Sequence, residues 1–224
     1  MSGREQTGRG WRTFWPLLLP VAAYELACFV LLITRGQYLY FMMGWNVFLA
    51  LLPLVFVSIA ENVRRRWLTA VLAILWILFL PNAFYLLTDL IHVPKGMSTA
   101  GAGGVIYSTS IHQWIQLLVI GVGAVMGTLM GLESLRQVRG WLASARGSLF
   151  SWCAVGAVSL LCGVGIYIGR FLRFNSWDAL NIPSIVERMM EEFSWFTVQY
   201  IALFTCIIFV LFVFYELIQR SNRT

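Results

Sequence analysis

The sequence predicts an all-α polytopic membrane protein, six transmembrane helices with both termini in the cytoplasm. Three observations carry that reading. Hydrophobic residues make up 59% of the 224 and charged residues only 12%, against roughly 45–50% and 25% in an average soluble domain. The apolar residues gather into six runs, each close to the roughly 20 residues that a helix needs to cross a hydrocarbon core. The basic residues gather in alternate connectors. A water-soluble core is excluded, and so is a disordered chain, which requires low hydropathy and high net charge.

The first run, Phe14–Thr34, follows an arginine-bearing start and contains Ala22-Ala23. It continues apolar to Ile33 without a small-x-small cleavage site, so it reads as an uncleaved helix and not as a signal peptide. The others are Met43–Ala60, Leu68–Leu90, Trp114–Leu135, Leu149–Arg170 and Phe193–Ile218. No connector is long enough to fold separately, so residues 1–224 are expected to form one domain.

Orientation follows from the positive-inside rule. Arg4, Arg9, Arg12, Arg64, Arg65, Arg66, Arg136, Arg139, Arg146, Arg220 and Arg223 fall on one side, eleven in all. Arg35, Lys95, Arg170, Arg173 and Arg188 fall on the other. The chain is therefore expected to be multi-pass in the cell (plasma) membrane. Its formal charge of +6 is explained by topology and membrane lipid, and no nucleic-acid partner is needed. The four cysteines lie within spans, where they act as small apolar residues.

Glycines recur every fourth residue at Gly123, Gly127 and Gly131, and again at Gly165 and Gly169, preceded by Ser159 and Gly163. Such stripes let backbones approach closely in lipid. They predict pairing of the fourth and fifth helices or a homo-oligomer face, the latter fitting a subunit of a membrane complex.

Two polar segments share the side opposite the eleven basic residues. In FLPNAFYLLTDLIH, Asn82, Tyr85, Asp89 and His92 fall within roughly 80° of one another on an ideal helix. Asp89 and His92 are the candidate catalytic acid–base groups; Asn82 and Tyr85 are candidate substrate-binding groups. In GRFLRFNSWDAL, Arg170 and Arg173 lie one turn apart and Trp177 extends their face if the helix persists. Asn175, Ser176 and Asp178 resemble a turn or N-cap. Arg170, Arg173, Asn175, Trp177 and Asp178 complete the candidate binding set. Paired guanidinium groups suit an anionic small molecule or a lipid-linked anionic substrate. Asp89 and Asp178 would equally neutralise them. Asp89, His92, His112 and Asp178 could ligate a metal, but no strict ligand spacing is present, and neither metal nor cofactor is expected.

The same two segments resemble the bacterial membrane proteins of domain of unknown function 1361, from about the second span through the fifth. The resemblance implies topology and no activity. The chain departs from that pattern at Phe84, where proline is expected, and at Trp114-Ile115-Gln116, which lacks the acid expected third.

Glu25 lies near the middle of a span, and an intramembrane carboxyl is a functional hypothesis by default. It offers the rival reading, a proton-coupled transporter, or else it is held by a partner such as Gln199 or Tyr200. Glu61, Glu133 and Glu216 read as interfacial ion-pair members. Pro94–Gly104 reads as a mobile outer loop. Asn181–Glu192 is amphipathic and forms either a surface helix or an extension of the last span.

Overall fold

A computed structural model describes residues 9–101 and 104–221; Arg4 and Arg223 lie outside them. The elements in chain order are α1 (Arg9–Arg35), α2 (Tyr38–Ala60), α3 (Arg66–Tyr85), a hairpin of β1 (Ser98–Gly101) and β2 (Gly104–Tyr107), α4 (Ile111–Arg146), α5 (Ser148–Tyr167), α6 (Ile182–Glu191) and α7 (Trp195–Ser221). Among the described residues six helices are long and apolar enough to cross a membrane, α3 and α5 counting with the tighter and wider turns that continue them to His92 and Leu172. The protein is an all-α polytopic membrane protein.

Helix ends depart from the hydropathy runs for a physical reason. α4 runs 36 residues, about 54 Å at 1.5 Å per residue, so it overshoots a hydrocarbon core of roughly 30 Å. The apolar run stops at Leu135, but the helix continues to Gly147, whose φ of +90° ends it. The 94–104 connector is not a plain loop. It contributes β1 to an antiparallel hairpin, Ser98 opposite Tyr107 and Thr99 opposite Ile106. α6 is a helix of its own, separated from α7 by residues 192–194, and buries none of its side chains.

Two apolar clusters fill the bundle, and α4 contributes to both. Val21, Tyr24, Met43, Val47 and Ala124 join α1, α2 and α4. Trp76, Leu80, Leu135, Cys162, Ile166, Ile208 and Phe212 join α3, α4, α5 and α7. The glycine stripes serve this packing, with other partners than expected. A Cβ at Gly127 would stand 2.9 Å from the Ala83 carbonyl, and one at Gly131 would stand 2.8 Å from Ala83 Cβ. The α4 stripe therefore admits α3 at Gly127 and Gly131, and Tyr24 of α1 and Met43 of α2 at Gly123. On α5, Gly163 admits α7 at the Ile201 carbonyl, while Gly165 admits the Pro81 ring and Gly169 the Tyr85 ring. Neither stripe joins α4 to α5, and both are occupied within the protomer.

Candidate functional site

Close packing of α5 on α3 sets the depth at which their polar ends meet. Gly165 on Pro81 and Gly169 on Tyr85 remove the side chains that would hold the helices apart. Immediately after Gly169 comes Arg170, inside a π-helical stretch, Ile168–Leu172. The wider turn shifts the register by one residue, as such insertions do in helices that re-aim a side chain. Arg173 ends the stretch at φ 61°, ψ 30°, a left-handed conformation that costs a non-glycine residue about 1–2 kcal/mol. Across from it, α3 gives way to a 3-10 stretch, Leu86–His92, which carries Thr88 and Asp89.

Asp89 and Arg170 meet there. An Arg170 amine donates to Asp89 Oδ1 at 2.6 Å, and Asn46 of α2 donates to Oδ2 at 2.8 Å. The Asp89 side chain is 0% exposed and that of Arg170 15%. Arg170 Nε donates to Thr88 Oγ1 at 2.9 Å, Thr88 Oγ1 donates to the Tyr85 carbonyl at 2.6 Å, and the guanidinium lies 4.3 Å from the Tyr85 ring centroid. Each group is paired, hydrogen-bonded or stacked, which is what a charge removed from water requires.

Beside this pair lies a cavity of about 260 Å³ bounded by α2, α3, α5 and the 176–180 turn. Its wall includes Trp45, Asn46, Asn82, Tyr85, Asn175 and Ser176, and α6 adds Ile185. None of its lining side chains carries a formal charge. Asn82 Nδ2 donates to Ser176 Oγ and to the Phe79 carbonyl, both at 2.9 Å. The amide oxygen of Asn82 and the hydroxyl of Tyr85 accept no hydrogen bond from the described residues.

A family model described as "Protein of unknown function (DUF1361)" matches residues 45–212, three-quarters of the chain. The chain belongs to this family. The matched stretch of this DUF1361 protein begins at Trp45 and holds the Asp89–Arg170 pair and every cavity-lining residue except Met42; α1, with Glu25, falls outside it. No curated protein and no solved structure matches the chain.

Against the sequence expectations, the two outer segments do converge, and Arg170 is the arginine that meets Asp89. Asn82, Tyr85 and Asn175 line the cavity. Trp177 lies edge-on to Trp45 with centroids 6.5 Å apart. Arg173 is exposed and does not line the cavity. Asp178 caps the 176–180 turn, accepting from the Asn175 backbone N–H at 2.6 Å. His92 is exposed while Asp89 is buried. His112 sits elsewhere, its Nε2 2.9 Å from Gln37 Nε2. The four metal candidates therefore do not share a site.

Glu25 approaches Gly44 of α2 and makes no hydrogen bond to Gln199 or Tyr200; its Oε1 is buried without a partner. Asn46 is the residue that sequence reasoning missed. A lone amide inside the apolar run of α2 was the available signal.

Proposed function

We propose that this DUF1361 protein holds the uncharged polar head of an amphipathic, lipid-linked molecule in the cavity between α2, α3 and α5. One observation carries the reading: the cavity is concave, and the polar groups set in its mostly apolar wall are amides, hydroxyls and an indole with no formal charge. The anionic ligand suggested by Arg170 and Arg173 fits less well, because Asp89 already neutralises Arg170 and Arg173 stands outside the cavity. Sites for small ligands typically run about 300–1,000 Å³, so about 260 Å³ accommodates a headgroup and leaves a lipid tail outside. Ile185 at the edge, on the amphipathic α6, offers that tail an apolar path. By the charge rule the cavity opens on the extracytoplasmic side of the plasma membrane, with both termini cytoplasmic.

In this reading Asp89 is a positioning residue that fixes Arg170 and Asn46, and neither Asp89 nor His92 performs acid–base chemistry in the cavity. A transporter reading has one observation in its favour, the unpartnered Glu25 Oε1 beside a cleft of about 340 Å³ between α1 and α2. That carboxyl serves a different cleft from the headgroup cavity.

The test is protection of a cysteine placed in the wall. Ser176→Cys, on a background without the four native cysteines, is reacted with a maleimide in a detergent lacking a sugar head. A neutral hexosyl-diacylglycerol is expected to slow labelling, and a phosphate-headed lipid with the same tails is not. Equal protection by both, or none by the neutral lipid, overturns the proposal.

A further inference from the structure

The opposite half of the bundle holds a second concavity of different chemistry. It is a cleft of about 320 Å³ among α2, α3, α4 and α5, walled by Phe56, Ala60, Ala73, Trp76, Trp141 and Leu142 among others. Its exposed wall is carbon only. Trp76 turns its indole N–H away from the cleft, to Ser134 Oγ at 3.3 Å, and Thr69 directs its hydroxyl to the Arg65 carbonyl at 3.4 Å. The few polar groups nearby are thus already engaged within the protein.

The 61–65 connector joins Ala60 to the first turn of α3, and the residues on either side of it, Ala60 and Thr69, both line this cleft. It delivers Arg64 and Arg65, and α3 begins at Arg66; all three are exposed. Three guanidinium groups stand there against the single carboxylate of Glu61, and the first turn of α3 carries no acid. Trp141 of α4, half-buried, lines the same cleft as Ala60 and Thr69 and fits the interfacial position that indoles favour. A carbon-walled slot with a cluster of net positive charge near one end is complementary to one kind of molecule. It matches an acyl chain joined to an anionic headgroup.

We infer that this cleft is a specific site for an anionic phospholipid, its phosphate on Arg64–Arg66 and one acyl chain along Ala73 and Trp76. Helix-lipid contact alone does not require such a site, because a flat helix face offers no slot for a chain. The charge rule assigns this end to the cytoplasm, where the leaflet is anionic and basic pockets between spans hold lipid heads. The site is separate from the headgroup cavity and does not depend on that reading.

Native mass spectrometry of the full chain in micelles tests it. Phosphatidylglycerol, phosphatidylcholine with the same tails, and inorganic phosphate are titrated separately. Phosphatidylglycerol is expected to be retained one per chain and to bind at least about tenfold tighter than phosphatidylcholine, since each basic group near an anionic surface contributes. Phosphate alone should not bind. The triple variant Arg64→Gln, Arg65→Gln, Arg66→Gln should bring the two lipids within about twofold, its charges no longer acting on the head. Ala73→Phe fills the slot from an exposed helix position and should weaken retention of phosphatidylglycerol while helicity by circular dichroism is unchanged. Equal binding of the two lipids by the unmodified protein, a preference that survives the triple variant, or full retention by Ala73→Phe would each overturn the inference.

Discussion

Asp89 and Arg170, 81 residues apart in sequence, meet at 2.6 Å with the carboxylate wholly removed from solvent. Their union explains how an arginine is held at the end of a membrane span. The guanidinium is not snorkelling to water. It is neutralised by Asp89, bonded to Thr88 and stacked on Tyr85, while Asn46 takes the second carboxylate oxygen. The cavity owes its shape to this arrangement, because Asn46 and Tyr85 belong to both the pair and the wall.

The amide of Asn46 is expected to matter through Asp89. Asn46→Leu keeps the volume and removes a donor at 2.8 Å, leaving one carboxylate oxygen unsatisfied at a cost of about 1–3 kcal/mol. Thermal unfolding in detergent should shift down by several degrees. An unchanged melting temperature would mean that water reaches Oδ2.

Glycine positions separate by what they touch. Gly127→Leu drives a side chain into the Ala83 carbonyl and Leu86, and overpacking of this kind costs about 1–3 kcal/mol. Gly156, with nothing within 4 Å of a Cβ, should accept alanine and gain about 0.5–1 kcal/mol from helix propensity. Melting curves of the two variants should move in opposite directions. Loss of stability in Gly156→Ala, or tolerance of Gly127→Leu, would contradict the packing.

How much of this was legible beforehand depends on the scale of the signal. Six spans follow from windows of some twenty residues and need no partner information. The end of α4 was hidden because the apolar run stops at Leu135 while the helix does not. The glycine stripes announced close approach, but small residues name no partner; Ala83 and Pro81 do so only in three dimensions. Asp89 and Arg170 were readable as charges in need of company. The π-helical turn that aims Arg170 has no sequence period to reveal it, and with it went the assumption that Arg173 shares its face. Equally hidden was the hairpin, since its first strand, Ser-Thr-Ala-Gly, reads as a loop until Val105-Ile106-Tyr107 pairs with it.

At the other end of the bundle, Arg139 of α4 bonds Glu216 of α7 at 2.8 Å and stacks on Trp152 at 4.6 Å. Arg220 bonds the same carboxylate at 3.3 Å from an exposed position. Lysine cannot reproduce a stacked planar fork. Arg139→Lys should therefore lower the melting temperature by several degrees, and Arg220→Lys should leave it within a degree or so, as exposed pairs contribute roughly 0–1 kcal/mol. Equal effects would show that the buried link between α4 and α7 is not what holds them.

Topology is tested at the hairpin. Met97→Cys, on a background free of native cysteine, should react with an impermeant maleimide added outside intact cells, since eleven of sixteen basic residues then lie inside. Labelling that requires permeabilised cells would invert the orientation of every span.

The central claim, that Asp89 exists to hold Arg170, is tested most directly by a double-mutant cycle. Asp89→Asn alone strands a buried guanidinium, and loss of one partner of a buried pair typically costs about 3–5 kcal/mol. Arg170→Gln alone strands the carboxylate at a similar cost. Removing both charges together leaves neutral groups that hydrogen-bond to each other, so the double variant should be much less destabilised than the sum. Unfolding of the four proteins by titration of a denaturing detergent into mixed micelles measures the coupling directly. A coupling energy above about 1.5 kcal/mol, within the range seen for residues in contact, is the expected result. Additive losses, or an Asp89→Asn variant as stable as the unmodified chain, would contradict it.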